Sequence, residues 1–360
     1  MNCMINRLPA RTWNHLGMNE TRVQLEGTYK YYDPEVGNRP ADVQWVVNAD
    51  NLPQGAHGDL EPGDLEPGDL EPMVGSLPAA LAETKQGVQM EQPLVLQYRY
   101  ADAAQEGSRL VLHAEANSRL KVVLVLTSPD ASASTTAIQA EIYADQGAVI
   151  DLYVVQLLGN QSTAFFNAAG ICREGARFNL TKLELGAEKL YAGANIDLAG
   201  DDAYFNTEIA YHGRPGQTLD MNYVALHHGK RTESAMQANG TLEDGSKKIF
   251  RGTIDFQKGC GGSVGNENEN VLLLGDNMVN QTIPLILCKE EDVEGNHGAS
   301  IGRLDEKVLF YLGARGIPEA QAQQMIAQAR IDAVCDKIPV EELQEQAREF
   351  ERVRGTSYHA

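Results

Sequence analysis

Short runs of alternating apolar and polar residues dominate the middle of the chain, from about Pro93 to Leu287. Alternation with a period of two is typical of strands that bury one face. Turns rich in Gly and Asp separate the runs, and no segment between them has the period and length of a crossover helix. The pattern therefore predicts a domain built from many short strands. The runs are LVLQYRY, RLVLHAEA, KVVLVLT, AIQAEIYA, AVIDLYVV, RFNLTKLEL, TLDMNYVAL and KIFRGTIDF.

Many short strands without crossover helices are typical of three architectures: a sandwich, a barrel, or a solenoid whose rungs stack on one another. The spacing of the runs does not choose among them. Upstream, residues 1–92 have a mixed character and are interpreted as a short N-terminal region. Within it, residues 58–72 are three copies of Gly-Asp-Leu-Glu-Pro. Because Pro and Gly break helices and strands and the acidic charge favours solvation, this repeat is expected to form an exposed loop.

The hydrophobic period becomes helical after residue 302. Apolar residues at Leu304, Val308 and Leu312 fall on one face of a first helix, and Pro318 is placed to open a second. A further charged helical segment follows. The sequence thus divides into a mixed region over 1–92, a strand-rich core over 93–302 and a helical C-terminal segment over 303–360.

The chain is acidic, since 50 Asp and Glu residues against 30 Lys and Arg residues give its 360 residues a formal charge of -20. A surface of this sign repels phosphate backbones and anionic lipids, so no nucleic acid and no membrane is expected as a partner. No window approaches the roughly 20 apolar residues of a membrane span. The N-terminus also lacks the apolar stretch of a signal peptide, and we therefore expect a cytoplasmic protein.

Five cysteines are scattered along the chain, and no two of them form a C-x-x-C pair. Such a set implies neither a disulfide framework nor a self-contained zinc site. The chain also lacks the G-x-x-x-x-G-K-[ST] loop of nucleotide hydrolases and the G-x-S-x-G elbow of serine hydrolases. Neither class of enzyme is therefore indicated.

One segment, from Glu291 to Ile317, carries four short motifs in a fixed order: HGAS, GRLDE, LFYL and ARGI. Together with FRGTIDF at residues 250–256 and the leucine run that follows Asn270, they make the chain resemble the SufB/SufD family, the scaffold proteins of the SUF iron-sulfur cluster assembly system. The similarity is greater to the SufD branch. It implies a mainly β fold, with a right-handed parallel β-helix as the core and an α-helical C-terminal segment.

The same resemblance implies a non-catalytic scaffold subunit of the SUF complex. Its C-terminal segment would dock a SufC-type ABC ATPase, which would hydrolyse the ATP. Its core would pair with a SufB-type scaffold subunit or with itself as a homodimer, because strand edges at the end of a β-helix have unpaired backbone groups. No tightly bound cofactor is expected, only a transient iron-sulfur cluster at the subunit interface.

His297 is the leading candidate for a ligand of iron or of a cluster. Its small neighbours, Asn296 and Gly298, are expected to leave the ring accessible in a Gly-rich turn, and a neutral imidazole binds iron well. The resemblance aligns it with a SufD histidine implicated in cluster assembly at the scaffold interface. Two positions depart from the family: Gly295 stands where SufD has a cysteine, and Met278 lies near the position of a SufB cysteine. A chain without these thiolates is expected to rely on its partner for them.

Two cysteines are weaker candidates for metal ligands. Cys288 is expected on a buried strand face, where a thiol is commonly a small hydrophobic group, and Cys260 is expected in an accessible turn. His227 and His228 are adjacent on a predicted strand. Their rings should point to opposite faces, so they are not expected to share a metal ion.

Two other functions stay open. Asp201-Asp202 and His212-Gly213 resemble the DD and HG motifs of polygalacturonase-like β-helix glycoside hydrolases, whose chemistry requires paired carboxylates. The lack of a downstream R-x-K element argues against that enzyme, and Asp201-Asp202 also fits an ordinary turn. The missing cysteines leave open a third function, an interaction module without a cluster role.

Overall fold

The computed structural model describes residues 2–10, 17–25, 27–49 and 70–357. Within these ranges strands predominate, and most of them join two long sheets. The strands are β1 (Asn2–Ile5), β2 (Thr21–Gln24), β3 (Lys30–Tyr31), β4 (Glu35–Asn38), β5 (Gln44–Val46), β6 (Ala79–Thr84), β7 (Leu94–Arg99), β8 (Gln105–Ala114), β9 (Arg119–Thr127), β10 (Thr135–Ala144), β11 (Val149–Leu157), β12 (Thr163–Cys172), β13 (Arg177–Glu184), β14 (Lys189–Leu198), β15 (Tyr204–Gly213), β16 (Thr218–His227), β17 (Glu233–Glu243), β18 (Lys247–Phe256), β19 (Ser263–Leu274), β20 (Val279–Cys288) and β21 (Val293–Gly302). The helices are α1 (Glu71–Val74), α2 (Glu306–Ala314), α3 (Glu319–Cys335) and α4 (Glu341–Ser357).

Alternate strands along the chain belong to alternate sheets. The even-numbered strands from β6 to β20 form one ladder, the odd-numbered strands from β7 to β21 form the other, and every step within these ladders is parallel. The chain therefore coils as a parallel β-solenoid of about eight turns. This architecture confirms the predicted β-helix and excludes the sandwich and the barrel.

The solenoid begins before residue 93, because Ala79–Thr84 already pairs in parallel with β8. It ends at Gly302, the last residue of β21. Ahead of it, β1 pairs with β2, β4 with β7 and β5 with β6, in each case antiparallel. Strands β4 and β5 thus extend the first rungs, whereas β1 and β2 form a separate two-stranded sheet.

The acidic repeat lies largely outside the described part of the chain, which excludes residues 58–69 of the loop expected over 58–72. Its last residues differ from that expectation. Leu70 is buried and Glu71 begins the short helix α1. Leu70 joins Met73 and Phe165 in one apolar cluster, so burial of the leucine outweighs the solvation of its acidic neighbours.

Alternate residues of each strand point inward and fill the space between the two ladders. Phe178 and Leu180 of β13 lie in this interior, with Leu152 from the preceding rung of the same sheet. Phe178 stacks on Phe205 of the following rung, with ring centroids 5.7 Å apart. Burying a side chain of this size contributes about 1.5–3 kcal/mol. The alternation of apolar and polar residues in the sequence therefore matches the alternation of inward-facing and outward-facing side chains in the structure.

The intervening residues of the odd-numbered strands face outward, and two C-terminal helices cover them. Leu183 of β13 and Leu185, which directly follows that strand, pack with Ile331 and Val334 of α3 and with Ala347 of α4. In contrast, no residue of α2 is buried. In the part of the chain that the structure describes, no helix combines the length and the apolar character that crossing a bilayer requires. The C-terminal segment is thus mainly helical as far as residue 357, where the description ends, and α3 and α4 are packed on their own solenoid.

Candidate functional site

The solenoid stops at an open end. Among the described residues, β20 pairs only with β18 and β21 only with β19, so each terminal strand leaves its other edge unpaired. Each edge is ten residues long. Val279 and Ile301 on this last rung are large apolar side chains that are each 46% exposed. Unpaired backbone groups over this length favour association with another strand.

His297 lies in the middle of this edge, with an exposed side chain. The Gly-rich turn predicted around it is wrong, because Val293–Gly302 is strand β21 and runs in register with β19. Glycine and asparagine have a low strand propensity, but pairing along the whole ladder overrides that local preference. The histidine is therefore held on a regular strand.

Glu267 is the residue of β19 that pairs with His297. Paired residues of a parallel ladder place their side chains on the same face, so both point toward the axis of the solenoid. Glu267 is only 3% exposed, and its carboxyl group lies over Gly252, where an added Cβ would come within 2.5 Å of the carboxyl carbon. Burial and the nearby charge of Glu269 raise the pKa of Glu267 to about 8, while Lys248 opposes the shift.

A second buried carboxylate, Glu269, lies two residues further along β19 and is fully paired. Lys248 Nζ is 2.5 Å from Glu269 Oε1, and Thr282 Oγ1 donates to Oε2 at 2.5 Å. Tyr211 adds a third hydrogen bond of 3.0 Å. Burial lowers the pKa of Lys248, although Glu269 opposes that shift. The interior near the open end therefore holds one neutralised carboxylate and, beside it, Glu267.

Sequence reasoning missed Glu267 and Glu269. The signal was present in β19, whose sequence SVGNENEN places asparagines and glutamates at alternate positions. Such a run looks like a solvated strand, since acidic residues are almost never buried without a partner. Only the register with β21 shows that the glutamates point inward at the open end.

The two candidate cysteines exchange their expected environments. Cys288, expected on a buried face, is exposed because no further rung covers β20, and its Sγ lies 2.9 Å from the carbonyl oxygen of Glu290. Cys260, expected in an accessible turn, is completely buried, and burial raises the pKa of its thiol. Cys288 and His297 belong to the same last rung but to different sheets.

Two positions, Gly295 and Met278, are expected to depart from the SufB/SufD pattern because they lack its cysteines. Both lie on or beside this last rung. Gly295 is two residues from His297 on the same face of β21, and an added Cβ would meet the ring of Phe256 at 3.1 Å. Met278 directly precedes β20 and is partly buried against the interior cluster. The five cysteines, all within the described ranges, are free thiols. Among the described residues, no three His, Cys, Asp or Glu side chains converge to hold a metal ion.

The two rings of the histidine pair lie in different environments, one buried and one exposed. His227 is buried, with ring nitrogens 2.7 Å from Thr232 Oγ1 and 2.9 Å from Ser234 Oγ, and burial lowers its pKa to about 4. His228 is exposed, and its Nδ1 lies 2.7 Å from Asp197. The two rings therefore do not share a metal ion.

The two aspartates that would serve as catalytic carboxylates in a glycoside hydrolase are engaged in ion pairs. Asp201 and Asp202 lie in an exposed turn, where both form ion pairs with Arg231. His212 is buried beneath α4, 2.6 Å from Glu351. The DD and HG motifs thus do not form an open carboxylate site, and a glycoside hydrolase is not favoured.

An apolar helix surface follows the last rung. Helix α2 exposes Val308 by 43%, Phe310 by 79% and Tyr311 by 55%. Asp305 caps the helix by accepting a hydrogen bond from the backbone N–H of Lys307. Large aromatic side chains exposed on one short helix are typical of a protein interaction site.

Comparisons with known proteins agree with this architecture. The family model described as SUF system FeS cluster assembly, SufBD core domain, matches residues 98–330. The iron-sulfur cluster assembly protein SufD of Bacillus subtilis is 26% identical over 266 residues, which cover 72% of this chain and 60% of that protein. A SufBD family protein of Staphylococcus saprophyticus is 24% identical over 257 residues, covering 71% of this chain and 55% of the relative. The chain therefore spans little more than half the length of these two relatives.

Proposed function

Since the chain belongs to the SufBD core family of the SUF system, we propose that it is a SufD-like scaffold subunit of iron-sulfur cluster assembly and not an enzyme. The observation that carries the proposal is the open end of the solenoid, where an exposed imidazole lies in the middle of an unpaired strand edge. Such an end positions His297 at whatever surface pairs with it. We place the protein in the cytoplasm, because five free thiols suit a reducing compartment.

The proposed partner at this end is a SufB-type scaffold subunit or a second copy of the chain. Strand addition along β20 and β21 would satisfy two ten-residue edges and cover Val279 and Ile301. Main-chain hydrogen bonds supply affinity in this mode of association. A cluster assembled there would be cargo, held transiently between two subunits.

In this proposal the two subunits supply different types of cluster ligand. His297 offers an imidazole, whereas Gly295 and Met278 offer no thiolate, and iron-sulfur clusters are usually held by cysteine. The partner would therefore supply thiolates. This arrangement explains how a chain with no three converging metal ligands among its described residues can take part in cluster assembly.

The proposed site for a SufC-type ABC ATPase is α2. Its Val308, Phe310 and Tyr311 are exposed, whereas α3 and α4 are already packed on the solenoid. An ATPase bound there would act directly beside the last rung. Force or movement from ATP hydrolysis would then reach the open end through Arg303 and the short link to α2.

Co-purification of the full chain with SufB-type and SufC-type proteins of its own organism tests the proposal. Ile301→Lys should abolish pairing at the open end, while the matched variant Val36→Lys, on an edge strand at the opposite end of the same sheet, should not. Phe310→Ala should weaken capture of the ATPase, with Met325→Ala on α3 as its control. Unchanged assembly in both Ile301→Lys and Phe310→Ala would overturn the proposed surfaces.

An interaction module without a cluster role is the second candidate, favoured by the absence of thiols at positions 278 and 295. His297→Ala separates the two functions. A scaffold that takes part in the chemistry should keep its partners but lose cluster assembly in this variant. Cluster assembly at the wild-type rate would instead support the module.

A further inference from the structure

We propose that Glu267 is a second iron-binding residue, which forms with His297 a carboxylate–imidazole pair for Fe²⁺ at the open end of the solenoid. This inference rests on the proposed function, because it concerns the same end of the molecule. It adds a protein ligand that lies thirty positions away from His297 in the sequence and that no motif in the segment from Glu291 to Ile317 contains.

The register places the two residues side by side on adjacent strands, with both side chains on the interior face. Glu267 and His297 are paired positions of adjacent parallel strands, and neighbouring strands lie about 4.8 Å apart. The pair next to them shows that side chains of this ladder meet, since Asn296 Nδ2 donates to Asn266 Oδ1 at 3.1 Å on the opposite face. An ion with bonds of about 2.1 Å to nitrogen and oxygen can therefore be shared by the two groups.

Glu267 is a buried residue whose carboxyl group is unpaired within the described part of the chain. It is 3% exposed, and no described residue forms a hydrogen bond or ion pair with its carboxyl group. Two nearby buried carboxylates are paired: Glu269 with Lys248, and Asp220 with Arg251. Burying a carboxylate without a partner is unfavourable unless another group compensates it. A cation bound between Glu267 and His297 would supply that compensation.

The interior also leaves room for the carboxyl group. Gly252 of β18 faces Glu267, and a side chain there would displace it, since an added Cβ would lie 2.7 Å from its Oε1. Lys248, which could have neutralised Glu267, instead pairs with Glu269 and with Thr282. The carboxyl group therefore lies in the space that Gly252 leaves open, one rung before His297.

Mixed imidazole and carboxylate ligands are typical of Fe²⁺ sites. Two ligands leave most coordination positions of the ion to water or to groups of a second subunit. This matches the finding that no three metal-binding side chains converge among the described residues. Such a pair would bind iron weakly and release it easily, as cargo requires.

Anaerobic equilibrium dialysis of the purified full chain against Fe²⁺ alone tests the inference. We expect Glu267→Gln and His297→Ala each to weaken Fe²⁺ binding by about tenfold or more, the loss typical when a group that supports a metal is removed. The double variant should bind little more weakly than either single variant. Glu294→Gln is the matched control, because it makes the same substitution on the outward face of β21 and should leave affinity unchanged.

Thermal unfolding of each variant separates loss of the site from loss of the fold. Glu267→Gln should unfold at the wild-type temperature or above it, since a neutral amide of nearly the same shape replaces a buried carboxyl group that no described residue pairs with. Wild-type Fe²⁺ affinity in a folded Glu267→Gln variant would overturn this inference and leave the proposed function intact. A wild-type chain that binds no Fe²⁺ would overturn it as well. The proposed function fails separately, if the wild-type chain captures neither partner.

Discussion

His212 Nδ1 lies 2.6 Å from Glu351 Oε1, which joins strand β15 to the last helix through a buried contact. Arg214 is 2.5 Å from the other carboxylate oxygen, and Glu243 is 2.9 Å from His212 Nε2. Burial opposes protonation of His212, as does Arg214, but the two glutamates outweigh them and raise its pKa. Burial would raise the pKa of Glu351, but His212 and Arg214 lower it to about 2. A buried charge cluster therefore fastens α4 to the solenoid.

Removal of Glu351 should detach α4. Glu351→Ala leaves two buried cations without their carboxylate, and breaking a buried pair in this way costs about 3–5 kcal/mol. Urea unfolding should show the loss, and limited proteolysis should cleave within α4 before the solenoid. The control is Glu349→Ala, whose carboxylate is exposed in an ion pair with Arg352 and which should leave stability nearly unchanged, because solvent screens such a pair. Equal stability of the two variants would contradict the prediction.

The buried cluster of His212, Arg214 and Glu351 also predicts that stability declines at both low and high pH. The pKa of Glu351 is lowered from 4.5 to about 2, so its contribution is present above pH 4.5 and is lost as the pH falls toward 2. The pKa of His212 is raised above 6.5, so its contribution is present below pH 6.5 and is lost as the pH rises through the folded-state value. Thermal midpoints measured across pH should decline at both ends. Glu351→Gln should flatten both declines, and a parallel decline in that variant would argue against the cluster.

A cysteine at position 295 should improve the retention of a cluster. Gly295 lies on the same face as His297, so Gly295→Cys adds a thiol two residues away. The new Cβ would be 3.1 Å from Phe256 and 3.2 Å from Ile286, a crowding expected to cost about 1–3 kcal/mol. Visible absorption after anaerobic reconstitution should show more cluster than in the wild type.

Gly302→Cys is the control for that experiment. Gly302 lies at the end of the same strand with open space around an added Cβ. It should add a thiol without adding cluster. Equal cluster retention by Gly295→Cys and Gly302→Cys would show that the position of the new thiol relative to His297 does not matter.

Removing either Lys248 or Glu269 alone should destabilise the fold, whereas removing both should cost little. Lys248→Met leaves a buried carboxylate uncompensated, which costs about 3–5 kcal/mol. The double variant Lys248→Met, Glu269→Gln should recover most of that loss in chemical denaturation. Lys247→Met, at the neighbouring exposed position, should have almost no effect. A double variant no more stable than Lys248→Met would disprove the coupling.

Part of the candidate site could be predicted and part could not. The segment around His297 was identifiable from its motifs, but its strand conformation was not, because its glycines and asparagines form a strand only through pairing with β19. Cys260 and Cys288 exchanged their predicted environments for a related reason. Burial at the last rung depends on whether another rung follows, and local sequence does not contain that information.

The sequence by itself determined the strands, the change to helices after residue 302 and the family, because side-chain alternation and short motifs are local properties of the chain. Only the tertiary structure decided that Glu267 pairs with His297 on an adjacent strand and that Glu351 closes on His212. These pairs are separated by thirty and by 139 positions. The first pair meets because each turn of the solenoid stacks in register on the one before. The second meets because α4 folds back over the odd-numbered strands. Neither relationship produces a periodic pattern in the sequence.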